Sequence, residues 1–233
     1  MQLFYEPLAT DTSFILNKEE AQHCLKVLRK KKGDQVTIID GKGKYYLCVI
    51  TDDNIKNCQL EVLNVETSTL PDRHIHIAIS PTKNLDRTEW FVEKAIEIGV
   101  SEISFIVTQN SERRHIKLDR LLKKAVSAMK QSLKATLPVI NDLVPISTFI
   151  NEQKVDSTAT HLIAYVDDAN PLLIQNAITN SEKVLVLIGP EGDFTSEELE
   201  LALTSGYQKV SLGKCRLRTE TAGIVAITIL NNV

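Results

Sequence analysis

The chain has 233 residues, 43% hydrophobic and 24% charged, with 9 Gly and 7 Pro, a composition that excludes collagen-like, low-complexity and wholly disordered chains. No apolar run approaches the roughly 18 residues of a membrane span, and residues 1–7 carry neither the basic nor the apolar region of a signal peptide, so a cytoplasmic home is expected. The net charge of −3 does not point to nucleic acid, but the cations are uneven: five of the seven residues 26–32 are Lys or Arg, and residues 111–136 hold eight Lys/Arg against Glu112 and Asp119.

Residues 1–70 read as β-rich. Residues 19–29 form a short helix with Ala21, Cys24, Leu25 and Leu28 on one side. Residues 36–39 are a β-branched run. Asp40-Gly41-Lys42-Gly43 follows with hairpin chemistry, and 45–51 and 59–65 read as further strands. Short strands with one helix predict a small barrel, and residues 67–72 have the composition of a domain boundary. The four cysteines, Cys24, Cys48, Cys58 and Cys215, form no C-x-x-C pair and read as plain thiols, so no metal is expected.

Residues 71–233 alternate strand and helix, the pattern of a parallel sheet covered by helices. Predicted strands cover 74–80, 103–108, 161–166, 184–188 and 209–212. Residues 184–188 are apolar without alternation, which places that strand centrally. Predicted helices cover 86–98, 118–135, a segment opening at Pro171, 195–204 and 219–230. The first starts at Asp86-x-x-Glu89 and stops at Gly99; the fourth starts with a Thr195-x-x-Glu198 capping box. His74 and His76 share a strand face and read as partly exposed, and Trp90 and Phe91 as core.

The chain has no G-x-G-x-x-G, P-loop, G-x-S-x-G or H-E-x-x-H motif. Two glycine-bearing loops follow predicted strands: residues 187–194 (Leu-Ile-Gly-Pro-Glu-Gly-Asp-Phe) and 212–222 (Leu-Gly-Lys-Cys-Arg-Leu-Arg-Thr-Glu-Thr-Ala). Open α/β sheets bind ligands at this edge, and glycine lets backbone approach a flat ligand.

These two loops resemble the signature of the RsmE family of SPOUT RNA methyltransferases. So do residues 23–29 with Gly33-Asp34, residues 83–87, Glu93-Lys94-Ala95 with residues 97–100, and Gln131-Ser132 ahead of Pro138. The resemblance covers essentially the whole chain. It implies a PUA-like β-barrel RNA-binding domain over 1–70 and an α/β SPOUT domain over 71–233. The second would carry a C-terminal trefoil knot, an exception to the general absence of knots. It also implies a homodimer that binds S-adenosylmethionine and methylates N3 of one uridine in 16S ribosomal RNA of the small subunit, near the decoding site.

Carried over residue by residue, the cofactor pocket would use Leu187, Gly189, Glu191, Gly192, Ser211, Leu212, Gly213, Leu217, Arg218, Thr219, Thr221 and Ala222. RNA contacts would come from Lys26, Arg29, Arg113, Arg114, Lys123, Lys124, Lys130 and Lys134, the last standing where the family often has Arg. The acceptor imide must lose its proton, so a base and a cation that favours the anion are needed. Arg218 fits the second role; Glu191 and Glu220 are candidate bases, or hold the Arg and the cofactor. The chain has Asp193 where the family usually has Gly, and Lys214-Cys215-Arg216 where it often has Pro-Arg-Ile. That leaves Arg216 and Arg218 both open as the arginine facing the base. The rival readings are a SPOUT enzyme for tRNA or a ribose hydroxyl, a non-catalytic ribosome-assembly factor, and a general α/β nucleotide-binding domain.

Overall fold

The computed structural model describes residues 2–69, 71–153, 159–166, 172–178 and 181–233. By internal contacts the chain divides into two compact units, residues 1–70 with 126–137, and residues 71–125 with 138–233. Among the described residues no helix is long and apolar enough to cross a membrane.

The first unit is a five-stranded half-barrel built from β1 (Leu3–Tyr5), β2 (Ser13–Ile15), β3 (Gln35–Ile39), β4 (Lys44–Asp52) and β5 (Gln59–Thr67), in the order β1-β3-β4-β5-β2. Strand alternation makes its core: Val36 and Ile38 from β3 and Tyr46, Cys48 and Ile50 from β4 meet Phe4, Leu16 and Leu60. At the β3–β4 turn, Asp40 accepts the backbone N–H groups of Lys42 and Lys44 at 2.7 and 3.0 Å, while Gly41 and Gly43 take φ of 76° and 105°. The three-residue strands β1 and β2 were not foreseen.

The helix expected over 19–29 is shorter. α1 (Lys18–Gln22) is capped by the Asn17 side chain, loosens into a π-helical turn at His23–Val27, and stops where Arg29 takes φ 57°. Cys24, Cys48 and Cys58 are buried and free, their thiols pushed up to about 11, 12 and 11, chiefly by burial; Cys215 is exposed.

The second unit is a six-stranded parallel sheet. Its strands are β6 (His74–Ile79), β7 (Glu102–Val107), β8 (Val139–Pro145), β9 (Ala159–Ala164), β10 (Lys183–Ile188) and β11 (Gln208–Val210), ordered β11-β9-β10-β6-β7-β8. β10 lies inside the sheet, with residues 184–188 all buried, as its unbroken apolar run predicts. α2 (Leu85–Ile98) packs with α6 (Thr219–Leu230), and α6 also meets β6 and β10. α4 (Ile146–Glu152) packs with α5 (Ser196–Thr204) over a core that includes Leu185, Leu187, Phe149 and Tyr207.

Several local expectations need correction. α2 is capped by Asn84, whose side chain accepts the Asp86 N–H, not by an Asp86–Glu89 box; its end at Gly99, with φ 120°, is as expected. α3 (Leu118–Gln131) stops short of residue 135. Leu133 turns to φ 56°, Tyr45 donates to its carbonyl, and the hairpin backbone at Gly41 and Gly43 bonds to Leu137 and Ala135. Those bonds hold 133–137 in a conformation no helix has. Phe91 is core at 1% exposed, but Trp90, its neighbour, is 44% exposed because α2 buries Phe91, Val92, Ala95 and Ile96 instead. The helix expected to open at Pro171 begins outside the described residues; among the described residues 172–178 there is a 3-10 turn at Ile174–Asn176.

His74 is exposed, but His76 is buried, with Nε2 2.8 Å from Ser104 Oγ. Burial pushes its pKa from 6.5 to about 4, against an opposing pull from Glu102. The folded chain therefore keeps His76 neutral where the unfolded chain takes up a proton, so stability falls as pH drops from 6.5 towards 4, by up to about 1.4 kcal/mol per unit. Urea midpoints at pH 7 and pH 5 should differ less in His76→Gln than in the parent. An equal difference would show that another group carries the dependence.

Candidate active site

Three strands end together. After β9 come Tyr165 and Val166, after β10 residues 189–194, and after β11 residues 211–218. They surround a cavity of about 910 Å³ whose lining includes Ile188, Leu217 and Ala222.

The first loop is shaped by close packing. A Cβ on Gly189 would lie 3.1 Å from the ring of Phe194, which is buried in the α4–α5 core. A Cβ on Gly192 would lie 3.1 Å from Asn110 Cβ. Asn110, from the turn after β7, donates through Nδ2 to the carbonyls of both Gly192 and Asp193 at 3.0 Å. Asp193 takes φ 59°, a left-handed conformation that Asp tolerates better than most residues. Its Oδ1 accepts the Phe194 N–H at 2.8 Å and its Oδ2 the Val166 N–H at 3.3 Å. Burial raises its pKa, against those two bonds and the charge of Arg216.

The second loop carries Gly213 at φ 124°, where an added Cβ meets nothing within 4 Å. It leads into α6, whose cap residue Arg218 makes no side-chain capping bond. In the first turn of α6, Thr219 Oγ1 and Glu220 Oε2 are buried with no hydrogen-bond partner. Thr219 also lines the cavity. An orphaned buried hydroxyl beside the free N–H groups of a helix start is a site for a polar ligand atom.

Of the residues expected to hold a cofactor, Gly189, Glu191, Ser211, Leu212, Gly213, Leu217, Thr219 and Ala222 line the cavity. Leu187 does not; it is core. Gly192 backs onto Asn110. Thr221 and the exposed Arg218 are also outside the lining, which takes Arg216 instead. Glu191 is exposed, whereas Glu220 is buried with Arg87 Nε 3.8 Å from its carboxylate. Asp193 and Tyr165 line the cavity without having been proposed for it. Asp193 was visible in sequence only as a departure from the family pattern.

The expected RNA-binding cations differ in their freedom. Arg113 is engaged within the fold, its guanidinium donating to the carbonyls of Thr82 and Lys83, as short as 2.6 Å. Arg114 donates to the Gln109 carbonyl at 3.1 Å. Lys124 pairs with Glu93 at 2.9 Å, which with Lys94 holds the Glu93 carboxyl below its usual range, and Lys130 pairs with the buried Glu20. Lys134 donates its backbone N–H to Met129 at the helix end. Lys26, Arg29 and Lys123 are exposed and make no salt bridge among the described residues.

The model of an RNA methyltransferase domain matches residues 68–231, and that of an RNA methyltransferase PUA domain matches residues 16–63. The crystal structure of a probable rRNA-methyltransferase from Porphyromonas gingivalis is 45% identical with a TM-score of 0.90, and the match covers 100% of this chain and 98% of that one. A ribosomal RNA small subunit methyltransferase E from Neisseria gonorrhoeae, solved bound to S-adenosyl methionine, is 28% identical with a TM-score of 0.88, covering 100% and 97%. The ribosomal RNA small subunit methyltransferase E of Rickettsia conorii is 27% identical over 223 residues, 94% of this chain and 90% of that protein.

Proposed function

Because this chain belongs to the RNA methyltransferase family, we propose that it transfers a methyl group from S-adenosylmethionine to N3 of one uridine in 16S ribosomal RNA of the small subunit. The observation that carries this is the cavity at the strand ends, with its orphaned Thr219 hydroxyl.

The residues present fit that cofactor. The volume of about 910 Å³ lies within the usual range for small-molecule sites. Gly213 leaves open space, and Thr219 with the α6 amides offers unspent polar groups. Gly189, Ser211, Leu212, Gly213, Leu217, Thr219 and Ala222 would hold it. When bound, it supplies an electrophilic methyl group. The chain's own residues handle the acceptor. Glu191, exposed beside the cavity, takes the N3 proton. Arg218, with a free guanidinium ahead of α6, donates to a uracil carbonyl oxygen as negative charge develops there. Glu220, buried with Arg87 Nε 3.8 Å from its carboxylate, links the first turn of α6 to α2.

The target base leaves its stack to reach the methyl donor. Lys26, Arg29 and Lys123 bind phosphates and set register. Lys123→Ala should therefore lower the slope of log binding constant against log salt by about one unit without loss of stability. Lys130→Ala should mainly destabilise the chain by leaving Glu20 buried and unpaired. Filter binding of a 16S fragment over a salt series checks both; an unchanged slope for Lys123→Ala removes that residue from the RNA surface.

The partner is a second copy of the chain, for which the half-buried Ile224, Val225 and Ile229 of the apolar α6 offer a surface. The knot that the family resemblance implies would form where residues 211–218 lead from the edge strand β11 back to α6 against β6 and β10. The enzyme works where ribosomes assemble, in the cytoplasm.

The decisive test is methyl transfer from radiolabelled S-adenosylmethionine to naked 16S RNA, assembled small subunits and tRNA, each from cells lacking the enzyme. Label in 16S RNA with a reverse-transcription stop at one uridine is expected, because an N3 methyl blocks the pairing edge. Label confined to tRNA, or on a ribose hydroxyl, would replace the proposed acceptor.

A further inference from the structure

We propose that Asp193 is a positioning residue of the cofactor cavity: its carboxylate ties its own loop to the end of β9, in the same cavity wall as Arg216 of the loop after β11. The inference rests on the reading that this cavity holds S-adenosylmethionine.

The geometry starts from the backbone. Asp193 is one of three non-glycine residues among those described with positive φ, at 59°. Glycine would sit there without strain, so a side chain needs a reason to be present. Asn110 bonds both carbonyls that flank the turn, which fixes the conformation from behind. The carboxylate bonds Val166 N–H at 3.3 Å on one side and Phe194 N–H at 2.8 Å on the other. Val166, Asp193 and Arg216 all line the cavity. Arg216 is the cation whose charge acts on Asp193. A cavity walled by three separate loops closes on a ligand only as well as those loops are held in register, and one carboxylate bonded to the end of β9 and to its own loop, with the charge of Arg216 on the third loop acting on it, contributes to that.

The test is a double-substitution cycle on cofactor affinity, measured by calorimetry with S-adenosylmethionine, with thermal midpoints measured in parallel. Asp193→Asn and Arg216→Ala should each weaken binding about tenfold, the effect of one charge-assisted contact. The double variant should be no weaker than either single one, because the two groups act as a unit. Asp193→Gly should weaken binding to the same degree while its thermal midpoint holds or rises, since glycine suits φ 59°. A merely structural role predicts the reverse: affinity preserved in Asp193→Gly. That result, or a double variant weakened about a hundredfold, would overturn the proposal while leaving the cavity's role intact. Failure of the parent protein to bind S-adenosylmethionine would overturn the reading of the cavity and this proposal with it.

Discussion

Arg218→Ala is expected to bind S-adenosylmethionine as tightly as the parent and to turn over about 10²- to 10³-fold more slowly, the loss that follows removal of one preorganised donor to a developing oxyanion. The split between binding and rate follows from position. Arg218 lies outside the cavity lining, exposed, and its side chain makes no capping bond to α6, so neither cofactor contact nor helix stability depends on it. Arg216 lines the cavity, and its loss should appear in the dissociation constant. Arg218→Lys should recover little, because a point ammonium does not reproduce the planar fork. Single-turnover methyl transfer with saturating cofactor and RNA measures the rate directly. A rate within a few-fold of the parent would move the oxyanion role to Arg216.

Gly223→Ala should lower folding stability by about 1–2 kcal/mol, although alanine is the better helix former. Propensity alone would favour alanine by about 1 kcal/mol. Packing opposes it. A Cβ on Gly223 would lie 2.5 Å from Cε2 and 3.1 Å from Cδ2 of Phe91, and 3.2 Å from Cδ1 of Ile79. Phe91 is itself fully buried in α2, and Ile79 ends β6, so neither can retreat without moving an element. Overpacking of this kind typically costs 1–3 kcal/mol, which outweighs the propensity gain. Gly223→Val should cost more, because it adds two further methyls and β-branching. Phe91→Leu in the Gly223→Ala background should return part of the loss, an interaction that urea denaturation of the cycle would show. Full additivity would mean that α6 shifts away as a body. Activity should fall too, because Thr219 and Arg218 start the same helix.

Much of the architecture is local and was legible in the chain. The unbroken Val-Leu-Val-Leu-Ile run placed β10 inside the sheet, and the structure puts it between β9 and β6. The Thr195–Glu198 capping box, the stop at Gly99 and the limits of α6 were each encoded within a few residues and appear as expected. The two glycine loops lie at the sheet edge where open α/β sheets take ligands; spacing alone left them open as ordinary turns, and the family resemblance pointed to a cofactor there, at loops that line the cavity.

What the sequence left open depends on partners far along the chain. The edge strand β8 was not foreseen because Val-Ile-Asn-Asp-Leu-Val-Pro mixes polar and apolar residues; its Asn141 pairs with Glu102 and Ser104 of β7, a polarity that makes sense only beside that strand. The end of α3 was set by hydrogen bonds from a hairpin some ninety residues earlier, such as that between Tyr45 and Leu133, which are 88 residues apart. Arg113 and Lys130 read as free cations until the fold supplied two carbonyls to one and a buried carboxylate to the other. Residue types, periodicity and caps are local properties, so the chain by itself determined the central strand, the capped helices and the glycine-bearing loops at the strand ends, but not the short and edge strands β1, β2 and β8. Burial and charge pairing are set by what lies opposite, so only the tertiary structure decided which cations remain free and which arginine lines the cavity.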